Sequence, residues 1–208
     1  MPDVVVLFDT RLRQHGGALL ANDVVPKSAG DALVLSDGGK PVGKVVNEVR
    51  EAGLALSNPT HLHIVCHGLS QVPILPDGSA APRVGGAGLQ IGAEGIDQQN
   101  VGILAAWRPI FLRITIYACD VAYEEPAGSN RRVALSGKDL CRAIAMHTAT
   151  DVIAPAGLQR YDVYPDSYGD VVNKLRGQPF VGAVDFGAWE GELIRFSAFS
   201  GRESRFIP

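Results

Sequence analysis

Leu62-His63-Ile64-Val65-Cys66-His67-Gly68 is the stretch that decides the fold. Leu62 to Cys66 is a short apolar run between Ser57-Asn58-Pro59 and His67-Gly68, so it reads as a buried strand whose carboxyl end turns into a loop at the glycine. Toward the N-terminus, Val42, Val45, Val46, Val49 and Ala52 fall at helical spacing and predict an amphipathic helix that stops at Ser57-Asn58-Pro59. Val4 to Phe8 is a further β-branched run, ending at Asp9-Thr10, and reads as a central strand. Between them, Arg11 to Lys40 is broken by Gly16-Gly17, Pro26, Gly30 and Gly38-Gly39, leaving room for one minor strand, Ala32 to Leu35.

Toward the C-terminus, a Gly/Pro-rich loop from Leu69 to Gly88 leads to a short strand, Leu89 to Ile91, and a helix, Gln98 to Trp107, stopped by Pro109. A third apolar strand, Ile114 to Ala118, ends at Cys119-Asp120. After a polar loop, Tyr123 to Gly137, the spacing of Leu140, Ile144 and His147 predicts a helix over Lys138 to Thr148, and Val152 to Ala154 a fourth strand. Strands alternating with helices predict an α/β fold of three layers, with a mostly parallel central sheet covered on both faces. Phe180 to Phe186 and Leu193 to Phe199, around Gly187-Ala188-Trp189-Glu190-Gly191, read as a closing C-terminal β-hairpin. A single domain over residues 1–208 is expected.

The formal charge of −3, from 19 Lys and Arg against 22 Asp and Glu, gives no electrostatic footprint for nucleic acid or an anionic membrane. No apolar run approaches the ~20 residues that span a bilayer, and the start MPDVVVLFDT lacks a basic secretory n-region. A cytoplasmic protein is expected. Cys66, Cys119 and Cys141 are too few and too dispersed for a disulfide framework or a Cys-rich zinc site, so reduced thiols are expected.

In an open α/β sheet, ligands bind beyond the carboxyl ends of the strands. His67 and Cys119 stand at two such ends. A thiol nucleophile and an imidazole that manages its proton, with backbone N–H groups aimed at an oxyanion, make a cysteine-dependent acyl-transfer site. The amides of Gly68 and Cys119 are the candidate donors, and the missing side chain at Gly68 allows a peptide carbonyl to approach.

An apolar strand ending in His-Gly (Ile64 to Gly68), followed about fifty residues later by one ending in Ala-Cys (Ile114 to Cys119), resembles the signature of the caspase-like, clan CD cysteine peptidases. Gly88-Leu89-Gln90-Ile91-Gly92 followed by a helix is similar to the CHAT branch of that clan. The resemblance covers roughly Leu62 to Pro155. It implies a caspase-like fold, peptide-bond cleavage by a His67/Cys119 dyad through an acyl-enzyme, no metal or organic cofactor, a protein or peptide substrate, and room for a regulatory protein partner. Some branches place Asp two residues before the nucleophile to bind a basic P1 side chain, where this chain has Tyr117; others use charges after the first strand, where it has Asp9, Arg11 and Arg13. Asp120, next to the nucleophile, completes the candidate substrate contacts. Glu124, Glu125, Arg131 and Arg132 make Tyr123 to Arg132 a candidate substrate or autocleavage loop, with a solvated surface loop as its plainer reading.

Three competing readings exist. His61, His63 and His67 on one face of an extended strand suggest half of a metallohydrolase site, but Val65 and Cys66 occupy the positions where a HxHxDH motif needs Asp and His. No GxSxG supports a serine hydrolase. A catalytically silent caspase-like interaction module is the alternative to an enzyme, because fold and function separate readily. Cys66, facing away from His67, and Cys141, inside a helix pattern, read as core residues; His15 and His147 have no evident partner.

Overall fold

The apolar runs form the middle of one seven-stranded sheet. A computed structural model describes residues 3–15, 17–18, 32–56, 60–71, 79, 84–124, 136–157, 162–164, 168–176, 182–185 and 191–207. In chain order these hold β1 (Asp3–Asp9), a 3₁₀ segment (Thr10–His15), β2 (Gly17–Ala18), β3 (Ala32–Ser36), α1 (Val42–Ala55), β4 (Thr60–Val65), β5 (Gly68–Gln71) and β6 (Val84–Leu89). A second 3₁₀ segment (Val101–Trp107), β7 (Phe111–Tyr117), α2 (Gly137–Thr148), β8 (Asp151–Pro155), β9 (Asp162–Tyr164), α3 (Tyr168–Leu175), β10 (Gly182–Asp185), β11 (Leu193–Phe196) and β12 (Glu203–Phe206) follow.

The strand order is β12-β11-β8-β7-β4-β1-β3. β3, β1, β4, β7 and β8 are parallel, while β11 and β12 run antiparallel at one edge. The protein is therefore a mixed α/β fold with a mostly parallel central sheet.

Crossover handedness explains the layers. From β3 onward, the chain steps through β4, β7 and β8 in one direction, and right-handed crossovers put all the intervening segments on one face. Accordingly Val45, Val46 and Val49 of α1, Leu104 and Trp107 of the second 3₁₀ segment, and Leu140, Cys141 and Ile144 of α2 share one core with Val5, Leu7, Leu62, Ile64, Ile114, Ile116, Val152 and Ala154. The β1-to-β3 connection steps the opposite way and leads to the other face. There Leu12 packs with Val4, Val6, Phe8, Val65 and the partly buried Tyr117. Among the described residues, α1 and α2 cover only the first face.

The tail pairs differently from the expectation. The terminal hairpin is β11 with β12, closed by Ser197 N–H donating to Arg202 O at 3.0 Å and Gly201 N–H to Ser197 O at 2.9 Å. β10 instead joins β2 and β9 in a separate three-stranded sheet. Phe199, read as part of a strand, is an exposed residue of the hairpin turn. Of the stretch Gly187 to Gly191, read as the hairpin's own turn, all but Gly191 lies outside the described residues.

Candidate active site

β4 and β7 are adjacent and parallel, in a register that sets Ile64 opposite Ile116 and Val65 opposite Tyr117. The Cys66 N–H extends the ladder by donating to Tyr117 O at 3.2 Å. Continuing that register by two residues sets His67 against Cys119. The backbone confirms the approach: a Cβ built on Gly68 would stand 2.0 Å from the Cys119 carbonyl oxygen and 3.5 Å from its nitrogen. His67 and Cys119 are both half-buried, whereas Cys66 and Cys141 are buried. Burial pushes the Cys66 and Cys141 thiols well above their ordinary range, as core cysteines require.

The chain beyond Cys119 is pinned. Asp120 adopts a left-handed conformation, φ 50°, a region Asp tolerates better than most residues. Its N–H donates to Gly157 O at 3.0 Å, Ala122 N–H to Pro155 O at 3.0 Å, and Tyr123 N–H to Asp120 O at 3.1 Å. The turn after the candidate nucleophile is thus tied to the end of β8. Burial raises the Asp120 carboxyl above its ordinary range. On the other strand, Gln90 N–H holds the His67 carbonyl at 2.9 Å. Gln90, Pro155 and Gly157 act here through their backbones, so their residue types did not announce these bonds.

Asp9 and Arg11 sit at the end of β1, but they answer each other. The Arg11 guanidinium grips Asp9 with Nε–Oδ1 and Nη2–Oδ2 bonds of 2.7 Å each, Arg11 N–H adds a 3.0 Å bond, and the Ser36 hydroxyl donates to Asp9 Oδ2 at 2.9 Å. Ser36 Oγ in turn accepts from Gly92 N–H at 2.7 Å, and Arg11 Nη2 donates to Gly92 O at 2.9 Å. Asp9 has no exposed surface. The two opposite charges expected to bind substrate therefore form an internal clamp joining β1, β3 and the Gly92 turn. The hydrogen bond to Asp9 holds the Arg11 guanidinium above its ordinary range. Arg11→Ala strands the buried carboxylate and is expected to cost about 3 kcal/mol of stability, read by urea unfolding.

Tyr117 is likewise turned inward. Its ring lies 5.3 Å from that of His63, and burial pushes its hydroxyl up to about 12. The three-histidine metal reading fails on strand geometry: at roughly 3.3 Å per residue, His67 is about 20 Å along the chain from His61. The guanidinium of Arg113, 3.4 Å from His61 Nδ1, further opposes a cation there. Desolvation, and then the Arg113 charge, lower the His61 pKa below its ordinary value. The unfolded chain therefore binds the extra proton more readily, so His61 makes stability fall as pH drops through and below about 6.5. The expected readout is a ring titration in NMR with its midpoint below about 6.5, shifted upward in Arg113→Gln.

Residues 125–135, which hold most of the candidate loop after the nucleophile, lie outside the described residues; Glu124 is tied to Lys138 by a 2.7 Å ion pair. Among the described residues, no helix is long and apolar enough to cross a membrane.

No family model and no curated protein matches this sequence. Among solved structures, a secreted C11 cysteine protease from Bacteroides thetaiotaomicron, in complex with an irreversible peptide inhibitor, is similar at 11% identity and a TM-score of 0.41, over 76% of this chain and 49% of that one. The chain spans about half the length of that protease, at a likeness too slight to argue from.

Proposed function

We propose that this chain is a caspase-like, clan CD cysteine endopeptidase of the CHAT branch, acting through Cys119 and His67. The observation that carries the reading is the contact of the Cys119 backbone with Gly68, which sets the two candidate residues on neighbouring strand ends at one edge of a parallel sheet. The Cys119 thiol passes its proton to His67, and its sulfur bonds to the scissile carbonyl carbon. The resulting oxyanion takes hydrogen bonds from the Gly68 and Cys119 amides. His67 then protonates the departing amine as the C–N bond breaks, and water hydrolyses the thioester to release the acid and restore the thiol.

The substrate in this reading is a protein or peptide. Asp120 remains the proposed substrate contact beside the nucleophile, whereas the buried Asp9–Arg11 clamp and the inward Tyr117 leave no charge of their own to a P1 side chain. Three free thiols support a reducing, cytoplasmic setting. Profiling a diverse peptide library against wild type and Cys119→Ala tests the proposal. Cleavage by wild type alone supports it; no cleavage by either, with no thiol-probe adduct, favours the silent interaction module.

A further inference from the structure

Among the described residues, the sheet face opposite the main helical core is filled unevenly. On its β1–β4 half, Val4, Val6, Phe8, Leu12 and Val65 close into an apolar cluster. On its β7–β12 half there is a cavity of about 320 Å³, with an adjoining one of about 220 Å³. Arg113, Ile153 and Phe206 border both. The register explains the lining, because cross-strand partners share a face: His63 is opposite Thr115, Thr115 opposite Ile153, and Ile153 opposite Arg195.

The larger cavity has the size and composition of a small-molecule site, with apolar and aromatic walls and a few convergent polar groups. Tyr117, Ile153, Leu193 and Phe206 supply the apolar surface. The charges do not balance. Arg195 is committed to Asp151 through Nε at 2.9 Å and through Nη2, and Asp151 Oδ1 also accepts from Ala198 N–H at 3.0 Å. Arg113 has no carboxylate of its own among the described ion pairs: its Nη2 lies 3.4 Å from His61 Nδ1, and its Nε is buried without a partner among the described residues, so its positive charge is left uncompensated at the border of both cavities. We propose that this cavity binds a small organic monoanion, an apolar or aromatic body bearing one carboxylate, with Arg113 as its anchor. The carboxylate meets the guanidinium charge of Arg113, the body lies against Ile153, Leu193 and Phe206, and the far end touches Tyr117, two residues before Cys119.

Isothermal titration calorimetry with 4-phenylbutyrate, its neutral counterpart 4-phenylbutanol, and acetate tests the site without requiring peptidase activity. Wild type and Cys119→Ala are expected to bind 4-phenylbutyrate equally at one site per chain. The alcohol and acetate are expected to bind about tenfold more weakly or less, and Arg113→Gln to lose about tenfold in affinity for the acid. Thr115→Phe fills the cavity while keeping Arg113, and is expected to abolish binding even if Arg113→Gln fails to fold. Absence of heat in wild type, equal affinity for acid and alcohol, or undiminished binding in Thr115→Phe would overturn the proposal. Loss of binding in Cys119→Ala would contradict it too, by moving the ligand to the candidate active site.

Discussion

Gly68→Ala is expected to destabilise the protein by about 3 kcal/mol and to remove its activity with it. The added methyl would lie 2.0 Å from the Cys119 carbonyl oxygen, and the obstructing atom belongs to backbone rather than to a flexible side-chain end. Relief requires β4 and β7 to part just beyond their carboxyl ends, where His67 and Cys119 follow the strands and where the Cys66 N–H to Tyr117 O bond ends the ladder. Chemical denaturation read by tryptophan fluorescence measures the stability change, since Trp107 is buried in the main core and donates its Nε1 to Val46 O. A Gly68→Ala protein of wild-type stability and activity would show that the two strand ends do not meet as described.

Cys119→Ala is expected to lower kcat/KM for peptide cleavage by at least about a thousandfold, with His67→Ala close behind, because nucleophile and base act as a unit and their losses do not add. Stability should change little in either variant, since both side chains are only half-buried. Cys66→Ala reports on the opposite case. Its buried side chain belongs to the main core, so the substitution is expected to cost stability while sparing the chemistry in the protein that still folds.

Much of this arrangement was legible because the decisive strands are short apolar runs with sharp ends. Val4 to Phe8, Leu62 to Cys66 and Ile114 to Ala118 foretell β1, β4 and β7 to within a few residues, and of the predicted stripe Val42, Val45, Val46, Val49 and Ala52 the first four are buried in α1, while Ala52 is partly buried and Gly53 is buried beside it. Periodicity overreached after β6. Gln98 to Trp107 reads as a helix, yet only Val101–Trp107 is helical, as a 3₁₀ segment. Ahead of it, Asp97 Oδ1 accepts from the amides of Gln99 and Asn100, Asn100 Oδ1 accepts from that of Asp97, and Val101 N–H donates to Asp97 O at 2.9 Å, so Gln98 to Asn100 form a capped turn that leads into the 3₁₀ segment.

Leu69 to Gly88 reads as loop because β6, Val-Gly-Gly-Ala-Gly-Leu, has almost no strand propensity of its own. It pairs with β5, and its glycines permit close packing on its other side, since a Cβ on Gly86 would meet Gly137 N at 3.0 Å and Tyr123 O at 3.1 Å. In α2, the predicted stripe of Leu140, Ile144 and His147 is right in its first two members, but Thr148 is buried in place of His147. The residues of the candidate site could be named from sequence by their position after apolar strands. Their substrate contacts could not, because the fate of Asp9 and Arg11 depends on Ser36 and Gly92, which are remote from them in sequence.

The central claim is that Cys119 is a nucleophile served by His67. Peptide mapping by mass spectrometry after limited reaction with an electrophilic peptide probe tests it most directly. The account predicts one adduct per chain, on Cys119, formed much more slowly in His67→Ala and absent from Cys119→Ala. Labelling of Cys66 or Cys141 in the folded wild type, or of Cys119 at the same rate with and without His67, would contradict it.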